Sequence, residues 1–160
     1  MRNRSAAVID HRYTTKMRIL AIDYGSQRIG IAISDPTGTL ARPLPFVPAK
    51  GDTKLAQEIA ALVKKEQAEL ILLGLPRNMN GTFGEAADKV RAFSVELGKA
   101  TTIPFKLIDE RLSTVQASRQ LQESGKDTRK QRDKIDSASA AVLLQVYLDM
   151  ASFPSLRPDA

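Results

Sequence analysis

The sequence predicts an α/β fold, a mixed β-sheet with helices on both faces. Three strand-like runs open the domain, helical and strand patterns then alternate, and two helical patterns close it. Short apolar runs bounded by turn residues are typical of strands, whereas apolar residues three and four positions apart are typical of helices. The resulting order, β-β-β-α-β-α-β-α-α, favours a meander extended by two parallel crossover units.

The first three runs form the predicted meander. Residues 18–23 are almost continuously apolar, as in a central strand that is buried on both faces. Residues 29–33 alternate isoleucine with smaller residues, which indicates an antiparallel return strand. A third strand is predicted between residues 39 and 47, at the edge of the sheet, because prolines there cannot donate ladder hydrogen bonds.

The later elements follow from periodicity and from helix-end signals. Strands are predicted over residues 69–75 and 105–109, and helices over 55–62, 113–125 and 133–150. A further helix is expected to begin with a Thr82–Glu85 capping box, to carry a stripe from Phe83 to Leu97, and to end at Gly98. The last helix should be well buried, because its apolar positions crowd almost all round.

The chain of 160 residues fits one domain, predicted over residues 17–150. Residues 1–16 are expected to be a basic extension, either a flexible arm or the result of a wrongly chosen start codon, and residues 151–160 a C-terminal tail. No apolar run reaches the roughly 18 residues that span a bilayer, and the basic N-terminus lacks the apolar region of a secretory signal. A cytoplasmic location without a membrane partner is therefore expected.

Composition excludes several kinds of chemistry. With no cysteine, the chain has no disulfide, zinc–thiolate site or cysteine nucleophile, and its only histidine, His11, lies far upstream of the first strand. The formal net charge of +6 favours a polyanionic partner, with nucleic acid first, although scattered surface lysines and arginines would give the same total. Positive charge is concentrated in residues 1–16 and 111–134.

Three acids occupy informative positions. Asp23 ends the first strand, Glu110 follows the fifth, and Asp136 lies in the first turn of the last helix. Ligands of open α/β sheets collect beyond the C-terminal ends of the strands. Glu110 is preferred to Asp109 because it shares the alternation of Ile108, and Asp133 is a candidate fourth acid on the helical face of Asp136.

Three converging carboxylates without histidine or cysteine suit Mg²⁺ or Mn²⁺, and a pair of such ions suits phosphodiester hydrolysis. Each acid alone has a plain structural interpretation, either as a turn residue after a strand or as a partner of the helix dipole. Their combination, together with the strand order, favours a metal-dependent nuclease.

Four segments together resemble the YqgF/RuvX family of bacterial ribonuclease H-like proteins, which are named as pre-16S rRNA nucleases and as Holliday junction resolvase-like proteins. The resemblance runs from Met17 to about Leu148 and is carried by residues 22–30, 73–82, 109–114 and 134–140. It implies a five-stranded sheet in the order 3-2-1-4-5 with strand 2 antiparallel to the rest. It also implies a nuclease site in which Asp23, Glu110 and Asp136 bind the metal.

Substrate-binding roles are expected for five further residues. Gly25 would allow a tight exit after Asp23 or would serve only as a hairpin turn. Arg111 would hold a phosphate or form an ion pair with a nearby acid. The other three are Ser113 and Thr114, at a predicted helix start where Ser113 is favoured as a simple N-cap, and Asn80, in a polar loop that would guide a nucleic-acid strand or only connect strand to helix.

The leading interpretation is an endonuclease that processes the 5′ end of pre-16S rRNA. The alternatives are a resolvase of branched DNA, a non-catalytic RNA- or ribosome-binding module, and an ATPase-like relative of actin and the sugar kinases. The last is disfavoured because such folds place a nucleotide between two domains, whereas 160 residues provide one. The sequence leaves open a monomer or a homodimer.

Overall fold

The computed structural model describes residues 17–78, 80–110 and 129–152, with side chains from 138 to 151 in the last range. It contains five strands and three helices within these ranges. The strands are β1 (Ile19–Tyr24), β2 (Arg28–Ser34), β3 (Ala41–Pro48), β4 (Leu70–Leu75) and β5 (Phe105–Asp109). The helices are α1 (Asp52–Glu66), α2 (Glu85–Ala100) and α3 (Arg129–Ser152). The helix predicted over 113–125 lies outside the described residues.

The strands form one sheet in the order β3-β2-β1-β4-β5, as predicted. β1, β4 and β5 run parallel, whereas β2 is antiparallel to both of its neighbours. β3 carries three prolines and lies at the edge, where the missing N–H donors cost no ladder bond. This topology brings the C-terminal ends of β1, β4 and β5 to one edge of the sheet.

Each face of the sheet is covered by different helices. On one face of the sheet, Leu20 and Ile22 of β1 pack with α1 and α2 around the buried Phe93. On the opposite face, Ile19 and Ala21 of β1 pack against α3. The prediction of helices on both faces is therefore confirmed.

The α3 helix is as buried as its apolar pattern predicts. Every residue from 138 to 148 is buried or half-buried, and Ala140, Leu144 and Leu148 contact the sheet cluster. Among the described residues, no helix combines the length and hydropathy that a bilayer-spanning segment needs.

The predicted ends of α2 are wrong at both termini. The helix begins at Glu85 with Gly84 as its N-cap and without a side-chain cap, because Thr82 bonds instead to Asn80 and Asn78. Phe83 therefore precedes the helix and is 42% exposed rather than part of the apolar stripe. At the other end the helix runs through Gly98 to Ala100, because the Thr101 N–H still donates to the carbonyl of Leu97.

Candidate active site

Asp23 lies at the C-terminal end of the central strand, opposite Gly30 of β2. The chain then turns sharply, and a β-carbon on Gly25 would collide with the carbonyl oxygen of Arg28. Only glycine tolerates so close an approach of the backbone. The tight turn expected at Gly25 is therefore present. It comes just after Asp23, so the Asp23 side chain lies at the edge of the sheet.

Tyr24 fixes the strand end on the opposite face. Its hydroxyl donates a 2.7 Å hydrogen bond to Oδ1 of Asp52, in the first turn of α1. Its ring lies 5.1 Å from the ring of Phe93, between centroids. Burial, followed by the bond to Asp52, raises the pKa of the Tyr24 phenol to about 12. Tyr24 is thus a neutral anchor beside Asp23.

Glu110 extends β5 by one ladder bond, since its N–H donates to the carbonyl of Leu75 at 3.2 Å. Its side chain is hydrogen-bonded to Asp23. Burial raises the pKa of Glu110 to about 9, and the Asp23 bond and the charges of Asp23 and Asp109 add to the effect. Near neutral pH Glu110 therefore carries a proton.

The two acids meet because Gly74 has no side chain. Asp23, Gly74 and Glu110 share the α3 face of the sheet, on which Ile19, Ala21, Leu72 and Ile108 also lie. Ile22 pairs with Leu73 and Gly74 pairs with Ile108, so Gly74 lies between the two acid-bearing strands. A β-carbon on Gly74 would lie only 2.5 Å from Oε1 of Glu110.

Asp109 points away from this pair and is engaged elsewhere. Its Oδ2 lies 3.2 Å from Nε of Arg77, which follows β4. The two atoms form an ion pair by distance, but within the described part of the chain the Nε–H is not aligned for a hydrogen bond. Arg77 also donates to the carbonyl of Gly81 at 3.2 Å. The preference for Glu110 over Asp109 on grounds of alternation therefore matches the geometry.

Asp136 lies in α3, eleven residues before Tyr147. The C-terminal half of this helix is tied to the starts of the strands. Gln145 bonds to the backbone of Thr39 and Ala41, and the hydroxyl of Tyr147 lies 3.5 Å from Nζ of Lys106. The Asp136 side chain, like that of Asp133, is outside the described residues.

The remaining predicted residues divide into two groups. The Asn80 side chain is hydrogen-bonded within its own loop, since its Oδ1 accepts hydrogen bonds from the N–H and the hydroxyl of Thr82. Its described bonds do not join it to the acid pair. Arg111, Ser113 and Thr114 lie outside the described residues, and their substrate-binding roles stay predictions.

Three residues near this edge of the sheet are not singled out as site residues by the sequence. They are Gly74, which lies against Glu110, Arg77, which is paired with Asp109, and Phe83, which the sequence places in a helical stripe. Phe83 instead lies under two guanidinium groups, those of Arg77 and Arg91. The signal available for Phe83 was its position between Gly81 and Gly84, since glycines so close together favour a loop.

The acid pair has the chemistry of a hard-cation site. Two carboxylates in contact repel each other once both ionise, and the raised pKa of Glu110 expresses that repulsion together with burial. A divalent cation relieves the repulsion and prefers oxygen ligands. The donor set therefore fits a divalent cation, although among the described residues no group of three or more acids, histidines or cysteines is placed to hold one.

Comparison with known proteins identifies a family for this chain. The chain matches, over residues 17–150, the family described as "RuvX: Holliday junction resolvase". A Dehalococcoides mccartyi protein named "Putative pre-16S rRNA nuclease" is 43% identical over 134 residues, covering 84% of this chain and 99% of the relative. Proteins of the same name from Clostridium kluyveri and Streptomyces avermitilis are 38% and 42% identical, covering 85% and 82% of this chain and 99% and 85% of their own lengths.

Solved structures agree on the fold. Thermus thermophilus RuvC in complex with a Holliday junction superposes with a TM-score of 0.58 at 15% identity, covering 85% of this chain and 97% of RuvC. A second structure of the same RuvC gives a TM-score of 0.55 at 13% identity, covering 86% and 97%. The fold is thus ribonuclease H-like, and with a family match over residues 17–150 the chain belongs to the RuvX family.

Proposed function

We propose that this protein is a metal-dependent endonuclease that hydrolyses phosphodiesters in structured nucleic acid, with the 5′ end of pre-16S rRNA as its substrate. The observation that carries the proposal is the contact of Asp23 with Glu110 at the C-terminal edge of β1, β4 and β5. No turn or capping role explains why these two acidic side chains are in contact. The names of the relatives support the choice of substrate.

Asp136 is the proposed third acid. The end of α3 is tied near the strand starts, so its first turns extend along the sheet toward the acid pair. From Tyr147 back to Asp136 is about 16 Å of helix, at 1.5 Å per residue. From Lys106 to Glu110 is about 13 Å of strand. These two lengths support a position of Asp136 at about the height of Glu110 along the sheet.

The metal is proposed to be Mg²⁺ or Mn²⁺, as two ions, held by Asp23, Glu110 and Asp136. When bound, the metal neutralises charge on the phosphate and activates the attacking water. The protein's own contribution is to hold Asp23 by the turn at Gly25 and Glu110 against Gly74. Because Glu110 must release its proton to bind a cation, metal binding and proton release are coupled in this site.

The proposed reaction is attack of water on phosphorus with cleavage of the P–O3′ bond. The water oxygen joins the phosphorus, the 3′ oxygen leaves with the electron pair and takes up a proton, and the products are a 5′-phosphate and a 3′-hydroxyl. The net charge of +6 favours the polyanionic substrate. An rRNA substrate also implies a cytoplasmic place of action.

A second candidate is cleavage of branched DNA. It is favoured by the description of the family and by the likeness to a RuvC that was solved on a Holliday junction. Symmetric cleavage of a four-way junction needs two active sites, so this activity requires a homodimer. Trimming of rRNA is compatible with a monomer.

The test is cleavage of three labelled substrates, a pre-16S rRNA leader, a four-way DNA junction and a linear duplex, with Mg²⁺ or Mn²⁺. Wild type is compared with Asp23→Asn and Glu110→Gln. Glu69→Gln is the matched control, because it removes one carboxylate at the opposite edge, just before β4. Metal-dependent cleavage of the leader, lost in both site variants and kept in the control, is the expected result.

Other outcomes have definite meanings. Preferential cutting of the junction by a dimer would replace the rRNA substrate with branched DNA. If wild type cuts nothing and the site variants bind RNA as wild type does, the nuclease proposal falls and a non-catalytic RNA-binding module takes its place. Protection or turnover that depends on nucleotide would instead support the ATPase-like alternative.

A further inference from the structure

Phe83 is an exposed aromatic side chain held between arginines. It is 42% exposed although two guanidinium groups lie over its ring, Arg77 at 4.3 Å and Arg91 at 4.7 Å from the centroid. It lies outside both core clusters. An exposed aromatic ring beside cations is the combination with which proteins bind single-stranded nucleic acid.

This cluster of Arg77, Phe83 and Arg91 lies at the same sheet edge as the acid pair. Arg77 forms its ion pair with Asp109, the residue before Glu110. Side chains of successive strand residues point to opposite faces of the sheet. The Asp109 side chain therefore contacts Arg77 of the arginine cluster, whereas the Glu110 side chain contacts Asp23. A nucleic-acid strand that crosses this edge from the acid pair therefore meets the cluster next.

The segment that presents Phe83 is ordered by its own backbone bonds. The Asn78 N–H donates to the carbonyl of Thr82 at 2.8 Å, and the Gly81 N–H donates to the carbonyl of Asn78 at 2.9 Å. Gly84 lies against the Asn78 amide, whose Nδ2 would be 2.9 Å from a β-carbon there. These contacts define the backbone just before and after Phe83, which lowers the entropic cost of presenting its ring to a ligand.

The charges of the cluster suit a phosphate. Arg91 has a 3.8 Å contact to Asp88, whose side chain is 77% exposed, so this ion pair is a weak one in water. A guanidinium that lies against a ring keeps N–H groups at its edge for an anion. The cluster therefore offers the exposed part of an aromatic ring for a base and a cation for the adjoining phosphate.

We propose that Phe83 and Arg91 bind an unpaired nucleotide next to the scissile phosphate, with the exposed part of the Phe83 ring packing against the base and Arg91 contacting its phosphate. Arg77 holds the ring in position through Asp109. Bases inside a duplex have both faces covered, so the contact selects a single-stranded segment beside the paired region. This inference rests on the proposed nuclease function for its reference to the scissile phosphate.

The test separates binding from cleavage by using Asp23→Asn protein as the background. Its affinity is measured for a single-stranded RNA oligonucleotide, for a duplex with a single-stranded tail, and for a blunt duplex. Phe83→Ala is expected to weaken binding of the first two by about tenfold and to leave blunt-duplex binding unchanged. Phe83→Tyr keeps the ring and should restore the affinity, whereas Phe83→Leu keeps only the apolar bulk and should not.

Salt dependence isolates the arginine. Arg91→Ala is expected to lower the slope of log affinity against log salt by about 0.7 on single strands. Phe83→Ala should leave that slope unchanged. Lys89→Ala is the matched control, since Lys89 is an exposed cation on the same helix. This variant should keep the wild-type salt dependence and the wild-type preference for single-stranded RNA over the blunt duplex.

A direct signal of stacking comes from Phe83→Trp. The chain has no tryptophan, so this variant carries a single fluorescent reporter at the proposed contact. Its emission should be quenched on titration with the tailed duplex, and not with the blunt one. Unchanged affinity in Phe83→Ala together with unquenched Phe83→Trp would overturn the inference.

Failure of the inference and failure of the nuclease proposal give different results. If wild type cuts the leader but Phe83→Ala binds and cuts as wild type does, the nucleotide contact is wrong and the nuclease stands. If wild type cuts nothing while Phe83→Ala still loses single-strand affinity, the contact stands and the nuclease proposal falls.

Discussion

The carboxylate of Glu110 occupies the space that a side chain at Gly74 would fill. Its Oε1 and Cγ atoms lie 2.5 Å and 2.9 Å from the position of a β-carbon on Gly74. Many ribonuclease H-like nucleases carry an acid after the fourth strand, whereas this chain has glycine in that strand and an acid on the next one. The glycine is what lets the Glu110 side chain reach Asp23 across β4.

We predict that Gly74→Ala reduces cleavage by about 100-fold, because the new methyl group would displace the Glu110 carboxylate by about 1 Å. The strand itself tolerates alanine, so the folded state should persist. The measurement is the cleavage rate with saturating metal, together with a thermal unfolding curve. Gly51→Ala is the control, since nothing lies within 4 Å of a β-carbon there.

An unchanged cleavage rate in Gly74→Ala would mean that Glu110 has no role in the chemistry. A rate lost together with the folded state would instead show that the close contact matters for packing. Gly74→Ser then adds a second steric test with a side chain of similar size.

The sequence predicts the sheet well because its strands are defined by local composition. Continuous apolar runs mark β1 and β4, alternating isoleucines mark β2, and prolines place β3 at the edge. The strand order is not local and comes from the family resemblance. Within the site, the alternation of Ile108 with Glu110 and the family motif both favour Glu110 over Asp109, and the structure brings Glu110 into contact with Asp23.

The errors lie where tertiary contacts override local signals. Thr82 looks like a helix cap, but its hydroxyl is engaged by Asn78 and Asn80, so Gly84 caps the helix instead. Gly98 looks like a helix end, but the helix continues beyond it. Gly74 could not be interpreted in advance, because its importance depends on a side chain 36 positions later in the sequence.

We predict that without metal the protein becomes less stable as pH rises from about 5 to 9. The pKa of Glu110 is raised to about 9 in the folded state by burial and by Asp23. In this window the folded state holds a proton that the unfolded chain has released, so rising pH favours unfolding. The free energy of unfolding should fall by at most about 1.4 kcal/mol per pH unit, which corresponds to a drop in Tm of roughly 3–5 °C per pH unit.

The measurement is Tm against pH in chelator, for wild type and Glu110→Gln. The variant should remove the slope, because its amide does not titrate, whereas Glu69→Gln should keep it. Saturating Mg²⁺ or Mn²⁺ should raise Tm most at high pH, where it no longer competes with the proton. A wild-type slope that survives Glu110→Gln would contradict the raised pKa of Glu110.

We predict that Ser34→Ala lowers the free energy of unfolding by about 1–3 kcal/mol. Ser34 is fully buried, and its Oγ accepts a 2.7 Å hydrogen bond from the N–H of Ile19, at the start of β1. Alanine would leave that buried donor without its partner. Ser94→Ala is the control, since the Ser94 hydroxyl bonds only to the exposed carbonyl of Arg91 in its own helix. Equal losses in both variants, measured by denaturant unfolding, would contradict the role of Ser34.

The hydrogen bond of Tyr24 to Asp52 is predicted to contribute about 1.5 kcal/mol of coupling, as expected for a bond to a charged acceptor that is partly buried. The measurement is a double-mutant cycle of Tyr24→Phe and Asp52→Asn by chemical denaturation. Each single variant should lose stability, and the double variant should lose little more than either one, because the bond is removed once. Since Tyr24 adjoins Asp23, Tyr24→Phe should also reduce cleavage several-fold, whereas Asp23→Asn abolishes it. Strictly additive losses would mean that the strand end is held by the contact of Tyr24 with Phe93 alone.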